Sequence, residues 1–439
     1  MKVNVTEQYL QGLLSLSEKQ VPEQILELAR FCLLDFIGES LAGSKLLSEK
    51  ISKYFDKGFG DSNMPCTILG YDNKAPMYDA AFVNGFQAHA TELDDGYRYG
   101  MMHIGASVIP AVIASAEKEG RNIDDVLRGI VFGYEAAVRL SFAIQPGHKK
   151  RGYHTSGTCG TVASAIGVAF LNHYSLERMR CALAMAASGA SGILGIQEDG
   201  SELKPYNVAR AALDGLVAAY VSRTNFQPPL DILGGNQGLF EVMCADVDIS
   251  RFSEFSGCRY GIEEVYMKPY AACRHCHAPI DGILNLIRTY GLKPDRIDTV
   301  LVETYALAVK GHDHTLIVNP SSAKLSIPFS VALAAVTGRA GLIEYDTLFN
   351  DPRVLELTKK VHVCENDELT SWSPAKRASR LIVKMDSGEQ YTILIEYALG
   401  EPENPMSRES IVNKFKGLAG YSGLGAMEIN KIINKILIK

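Results

Sequence analysis

Apolar residues recur at helical spacing through most of the first 260 positions of the chain. The segment PEQILELARFCLLDFIGESLAG opens with Pro22, which suits a first helical turn, and closes at Gly43. The segments ASVIPAVIASAEKEG and DDVLRGIVFGYEAAVRLSFAI continue the period, and three later ones are also rich in Ala and Gly: TVASAIGVAFLNHY, LERMRCALAMAASGASGIL and NVARAALDGLVAAYVSRT. Because small residues let helices approach closely, we predict that these three form the buried centre of an all-helical domain.

The pattern changes near residue 261. RIDTVLVETYA alternates like a strand, and RLIVKMDSGEQYTILIEYALG contains two β-rich runs around Asp386-Ser387-Gly388, which predicts a hairpin. Between them, SSAKLSIPFSVALAAVTG and DPRVLELTKKVHV are predicted to be helical, and two more helices follow the Pro- and Glu-rich stretch GEPENPMSRES. The predicted fold class is therefore mainly α. A large all-helical domain is expected at 1–262 and 402–439, and a smaller α+β lid domain at 263–401.

Composition excludes several classes of protein. Hydrophobic residues make up 47% and charged residues 21% of the 439 positions, as in ordinary globular proteins. The formal net charge of −6 argues against a nucleic-acid-binding protein, and neither a signal peptide nor an apolar run long enough to span a membrane is recognisable. The nine dispersed cysteines are typical of reduced thiols. We therefore expect a cytoplasmic protein without a nucleic-acid or membrane partner.

Four clusters of polar residues interrupt the segments that have the apolar helical pattern. They are HATELDDGYRYGMMHIGAS, with Asp94 and His103; KKRGYHTSGTCGTVASA, with Tyr153 and His154; IQEDGSELKPYNVARAA, with Lys204; and KPYAACRHCHAPID, with Lys268, Cys273, Arg274, His275, Cys276 and His277. Each also has a structural explanation, such as a helix cap, a hydrogen-bonded histidine or a solvated lysine. The C-x-x-C in the last cluster leaves a zinc site or a redox dithiol open.

Taken in order, these clusters resemble the MmgE/PrpD family. The motifs that carry the resemblance are LDD followed by His103, then YHTSGTCGT, EDGSELKP…ARAALDG, KPYAACRHCHAPID and AKLSIPFSVALAAVTG. The resemblance extends over essentially the whole chain. It implies a helical domain with a smaller α+β lid, a homodimer, and a site in the cleft between the domains that uses no cofactor and no metal.

The resemblance also implies the site residues. The positions that match the family's active site are Asp94, His103, His154, Lys204 and Lys268. In this interpretation His103 and His154 transfer protons and Asp94 orients a partner, while Lys204 and Lys268 bind substrate carboxylates and stabilise developing charge. Further candidates for substrate binding are Tyr153, Arg274, His275 and His277.

Members of the family dehydrate, decarboxylate or epimerise small di- and tricarboxylates, and four departures leave the reaction open. Phe329 stands where several relatives have an active-site tyrosine, Ile-Gly-Ala-Ser follows His103 in place of Pro-Ser, and Asn207 and Cys273 each replace a histidine. We expect a cofactor-independent lyase acting on a substrate such as methylcitrate or cis-aconitate. An epimerase or isomerase of a dicarboxylate is the alternative, and a zinc-binding or noncatalytic protein is a more remote one.

Overall fold

The computed structural model describes residues 4–54, 65–72, 74–244, 246–252 and 259–438. The chain forms two compact units, Met1–Val265 with Arg408–Lys439, and Tyr266–Ser407. The sequence placed these boundaries after residues 262 and 401. No single helix in the described ranges has the length and apolar composition of a membrane span, whereas a bent pair formed by Ile327–Thr337 and Leu342–Leu348 meets both criteria.

The first unit is built from helices, with a single two-stranded antiparallel ribbon, β1 and β2, among its described residues. Its elements before the second unit are α1 (Val5–Ser17), α2 (Glu23–Leu46), α3 (Ser48–Tyr54), β1 (Cys66–Thr67), β2 (Lys74–Ala75), α4 (Met77–Ala90), α5 (Gly105–Glu119), α6 (Ile123–Ile144), α7 (Gly147–Lys150), α8 (Thr155–Leu171), α9 (Leu176–Gly189), α10 (Lys204–Val221) and α11 (Leu239–Met243). Every residue of α8 is buried, and α8 packs against α5, α6 and α10. This confirms the prediction that the Ala- and Gly-rich segment of α8 lies in the core.

The second unit combines helices with a four-stranded sheet in the order β4–β3–β5–β6. Its elements are α12 (His277–Tyr290), β3 (Ile297–Thr304), α13 (Ala306–Val309), α14 (Pro320–Leu325), α15 (Ile327–Thr337), α16 (Leu342–Leu348), α17 (Pro352–Thr358), β4 (Val361–Glu365), α18 (Asp367–Trp372), β5 (Ser379–Met385) and β6 (Gln390–Ile395). The predicted strand β3 and the hairpin β5–β6 are confirmed. Gly388 has φ +90° at the hairpin turn, a conformation that glycine adopts without strain.

Two helix predictions in this unit were wrong in part. DPRVLELTKKVHV is helical only as far as Thr358. The following residues, Val361–Glu365, form strand β4 instead, because their backbone groups are hydrogen-bonded in parallel to β3. SSAKLSIPFSVALAAVTG forms two helices, because Ser326 ends α14 and its hydroxyl accepts a hydrogen bond from the Phe329 amide at the start of α15.

The last two helices, α19 (Arg408–Ser422) and α20 (Ala426–Leu437), belong to the first unit. Helix α19 packs along α2, where Lys414 Nζ donates to Asp35 and Glu39 at 2.9 and 3.1 Å and to the Leu93 carbonyl at 3.0 Å. A buried ion cluster therefore joins α19 to α2 and to Leu93, the residue before Asp94.

Candidate active site

Three predicted site residues lie at the N-terminal ends of helices that pack against one another. His103 precedes α5 by two residues, His154 immediately precedes α8, and Lys204 is the first residue of α10. Backbone amides at such ends attract anions. The sequence placed the helix after the threonine- and serine-rich motif, but α8 begins at Thr155, so this motif forms its first turn.

Asp94 lies between two histidines. Its Oδ2 is 2.6 Å from His89 Nδ1 and 3.4 Å from His103 Nδ1, and the two imidazole rings are 5.0 Å apart. His89 and Asp94 are fully buried, whereas the His103 side chain is 15% exposed. One carboxylate is thus shared by two imidazoles.

The hydrogen bonds of His103 fix the position of its basic nitrogen. His103 Nδ1 lies 2.8 Å from the Asp95 carbonyl oxygen, which can only accept, so Nδ1 carries the proton. The His103 backbone amide donates to Ser156 Oγ at 3.0 Å and so ties the residue to the first turn of α8. His103 Nε2 therefore has the lone pair, as a general base requires, and the Asp94 carboxylate lies 3.4 Å from the protonated Nδ1.

Asp95 has a structural role beside this pair. Its Oδ1 accepts the amides of Ile104 and Gly105 at 3.2 and 2.8 Å, and its Oδ2 accepts the hydroxyl of Tyr134. Burial raises the pKa of Asp95 to about 6. The carboxylate caps α5 and holds the loop that carries His103.

His154 is a buried, neutral imidazole whose tautomer is set by Asn207. The Asn207 amide nitrogen donates to the Ile193 carbonyl at 3.2 Å, which fixes the orientation of the amide, and it lies 3.1 Å from His154 Nδ1. Nδ1 therefore accepts and Nε2 carries the proton. Burial, together with His89 and Lys204, lowers the pKa of His154 well below its ordinary value. At neutral pH His154 thus offers an N–H donor and no positive charge.

Replacing Asn207 by aspartate is expected to make the charged form of His154 more favourable. A carboxylate next to Nδ1 favours the imidazolium, so the pKa of His154 should rise by about 1 to 3. NMR titration of the histidine ring protons measures this rise, and a His154→Gln variant assigns the resonance. Asn207→Leu provides the uncharged control. An unchanged titration in Asn207→Asp would contradict the contact between these two side chains.

Lys204 and Tyr153 are both engaged with neighbours. Lys204 Nζ lies 2.5 Å from Glu92 Oε1, and both side chains are largely buried. Glu92 has φ +58°, a left-handed conformation that is uncommon outside glycine. The Tyr153 ring stacks on His148 with ring centres 4.8 Å apart. A substrate carboxylate would share Lys204 with Glu92.

The remaining predicted residues lie in the second unit. Lys268 is fully buried, and Arg274 forms a buried ion pair with Glu401. The imidazole of His277 is also fully buried, with Nε2 3.2 Å from the Ala272 carbonyl oxygen. His275 Nδ1 contacts the Tyr305 hydroxyl. The guanidinium of Arg274 is therefore already paired with the Glu401 carboxylate. Substrate binding stays a prediction for all four residues: Lys268, Arg274, His275 and His277.

Phe329 and Cys276 of the C-x-x-C motif are both buried in the second unit. Phe329 is fully buried and packs near the Tyr345 ring, with centres 6.0 Å apart. Cys276 is fully buried, and its Sγ faces the Lys324 carbonyl at 3.9 Å.

His89, Asp94 and His103 bring three possible metal-binding atoms within 4.8 Å of one another. The 2.6 Å contact between His89 and Asp94 is a hydrogen-bond distance, shorter than the roughly 3.3 Å that separates two ligand atoms of a tetrahedral zinc ion. In addition, Nδ1 of His103 is protonated towards the Asp95 carbonyl. The contacts of this group, called the acid–base cluster below, are hydrogen bonds and do not match the ligand spacing of a tetrahedral metal ion.

Sequence reasoning missed His89, which was noted in its motif but given no role. Its position five residues before Asp94, at the end of α4, is the signal that could have identified it. The positioning contacts of Ser156 and Asn207 depend on tertiary structure.

Two family models match this chain. Residues 13–251 match the model of the MmgE/PrpD N-terminal domain, and residues 270–436 match that of the MmgE/PrpD C-terminal domain. The chain belongs to the MmgE/PrpD family.

Curated relatives within the MmgE/PrpD family are named for decarboxylation. The chain is 25% identical to cis-aconitate decarboxylase of Aspergillus terreus, over 95% of this chain and 90% of that protein. It is 24% identical to the cis-aconitate decarboxylase-like protein oryM of Aspergillus oryzae, over 99% and 94%, and 22% identical to the human cis-aconitate decarboxylase, over 95% and 88%. These similarities extend over nearly the full length of each pair of chains.

Proposed function

We propose that the protein is a lyase that removes carbon dioxide or water from a small di- or tricarboxylate. The observation that carries the proposal is the state of His103, whose Nδ1 donates to the Asp95 carbonyl beside the Asp94 carboxylate and whose Nε2 is therefore basic. The names of the curated relatives make cis-aconitate the first substrate to test. Methylcitrate, expected from the family resemblance, is the second.

The proposed chemistry has one difficult feature, the charge that develops when a bond to carbon breaks. Loss of carbon dioxide or of an α-proton leaves a carbanion or an enolate-like anion. The His154 Nε2–H, the amides at the N-terminal end of α8, and the Lys204 ammonium are the groups that would stabilise this anion. They are preorganised in a largely buried site, where electrostatic stabilisation is stronger than in water.

Proton transfer is assigned to His103. In a dehydration, His103 Nε2 takes the proton next to a carboxylate, and the imidazolium so formed gives a proton to the departing hydroxyl, which leaves as water. In an epimerisation, His103 Nε2 takes the same proton, and a proton then returns to the opposite face of the carbon. In a decarboxylation, His103 starts as the imidazolium and gives its Nε2 proton to the carbanion after carbon dioxide leaves. Asp94 stabilises the imidazolium in each case, so one arrangement supports the lyase reactions and the alternative epimerase.

A proton NMR assay in D₂O tests the proposal and separates these reactions. The protein is incubated with methylcitrate, cis-aconitate and iminodisuccinate, in parallel samples with and without prior chelator treatment. We expect a new alkene or the loss of a carboxylate. Deuterium in an otherwise unchanged skeleton would favour the epimerase, and the absence of all three changes across the panel would contradict the proposed substrate class.

We also propose a homodimer, which light scattering measures directly.

A further inference from the structure

Three side chains in the second unit form a cluster that takes no part in the proton transfer proposed above. Cys273, His275 and His312 each offer one ligand atom, and these three atoms lie within 4.8 Å of one another. All three residues are partly exposed, so an ion could reach them. We propose that Cys273, His275 and His312 bind a zinc ion. The inference goes beyond the lyase and does not depend on it.

The contact between Cys273 and His312 has the geometry of two zinc ligands. Cys273 Sγ lies 3.4 Å from His312 Nε2. In a tetrahedral site, a sulfur about 2.3 Å and a nitrogen about 2.0 Å from zinc are about 3.5 Å apart. The site can therefore close around the ion with little movement of these two atoms, in contrast to the 2.6 Å contact between His89 and Asp94.

Outer contacts orient both histidines for coordination. His312 Nδ1 lies 3.0 Å from the Lys310 carbonyl oxygen, which can only accept, so the lone pair is on Nε2 and points at Cys273. His275 contacts the Tyr305 hydroxyl through Nδ1, so this ring would coordinate through Nε2. Metal-binding histidines commonly have such a partner on the second ring nitrogen, because it fixes the tautomer and the ring orientation.

The chemistry of the cluster defines what it would bind. Thiolate and imidazole ligands suit zinc, and a set of three protein ligands leaves a fourth position for water or an anionic oxygen. Binding replaces the Cys273 thiol proton: the S–H bond breaks, a sulfur–zinc bond forms, and one proton is released to solvent. The C-x-x-C motif supplies only one ligand, because Cys276 Sγ faces the Lys324 carbonyl.

The test uses the full-length chelator-treated protein, titrated with Zn²⁺ against a chromophoric chelator and with Co²⁺ as an absorbing probe. We expect one equivalent of Zn²⁺, a thiolate-to-cobalt charge-transfer band, and release of one proton. Cys273→Ser and His312→Ala should each weaken binding by more than about 100-fold, and Tyr305→Phe, which loses an outer partner, by about 10- to 100-fold.

Two controls locate the ion. Cys276→Ser, the other half of the C-x-x-C motif, should bind Zn²⁺ as the unchanged protein does, and so should Asp94→Asn in the acid–base cluster. The proposal is overturned if no stoichiometric binding occurs, if cobalt binds without a thiolate band, or if either control loses the ion. If the contact between Cys273 and His312 is only a thiol–imidazole hydrogen bond, no stoichiometric zinc binding will be observed. Zinc stoichiometry and turnover are separate measurements, so failure here leaves the lyase proposal in place.

Discussion

Replacing His103 by glutamine is expected to lower the turnover number of the lyase reaction by about 10²- to 10⁴-fold, the usual contribution of a general acid–base group. Glutamine is close to histidine in size but carries no group that exchanges a proton near neutral pH. The melting temperature should change little, because the backbone amide that ties residue 103 to Ser156 is retained. The turnover number is measured on the substrate that the D₂O assay identifies.

Two further variants make this result specific. Asp94→Asn keeps the shape of the side chain but removes the charge that stabilises the His103 imidazolium, so it should also lower the turnover number, by about 10²- to 10⁴-fold. His362→Gln changes an exposed histidine in β4 and should leave turnover unchanged. Full activity in both His103→Gln and Asp94→Asn would exclude this pair from catalysis.

Local patterns in the sequence predicted much of the fold. The helical period and the small residues of α8 identified a buried helix, and Asp386-Ser387-Gly388 identified the β5–β6 hairpin. Both predictions succeeded because each depends only on residues that are close together in the sequence. Strand β4 was missed because Val361–Glu365 follows directly on a helical pattern. Its pairing partner, β3, is about 60 residues away in the chain, and no local signal reports such a pairing.

The site was predictable as a set of residue types but not as a set of protonation states. The motifs named Asp94, His103 and His154, and the structure places these residues together with Lys204 in the first unit. Which nitrogen carries the proton depends on the Asp95 carbonyl for His103 and on Asn207 for His154. The first partner is a backbone carbonyl in a loop and the second is a side-chain amide on another helix. Neither contact produces a residue spacing that could be recognised in the sequence.

The second large effect is expected at Lys414, where methionine should destabilise the first unit by about 3–5 kcal/mol and lower its melting temperature. Lys414 is the cation in a buried cluster with Asp35 and Glu39, whose side chains are at most 4% exposed. Methionine preserves the length and much of the volume of the side chain. The loss therefore arises from leaving two carboxylates buried without their lysine, which costs more than the ion pairs themselves contribute.

The size of this destabilisation should depend on pH. Burial already raises the pKa of Glu39 well above its ordinary value and also raises that of Asp35, and removing the lysine raises both further. The folded variant therefore takes up protons at a higher pH than the unfolded chain does. The penalty should be complete above the raised pKa values and should shrink as the pH falls through them, so the difference in melting temperature is larger at pH 8 than at pH 5.

Lys416, an exposed lysine on the same helix, provides the matched control, and Lys416→Met should melt like the unchanged protein at both pH values. A triple variant, Lys414→Met with Asp35→Asn and Glu39→Gln, should recover part of the stability and lose the pH dependence, because no charge remains buried. If Lys414→Met melts normally at pH 8, the cluster does not stabilise the fold. The triple variant still lacks the hydrogen bond to the Leu93 carbonyl. If its turnover is lower than that of the unchanged protein, the loss is consistent with a role of Lys414 in holding the loop before Asp94.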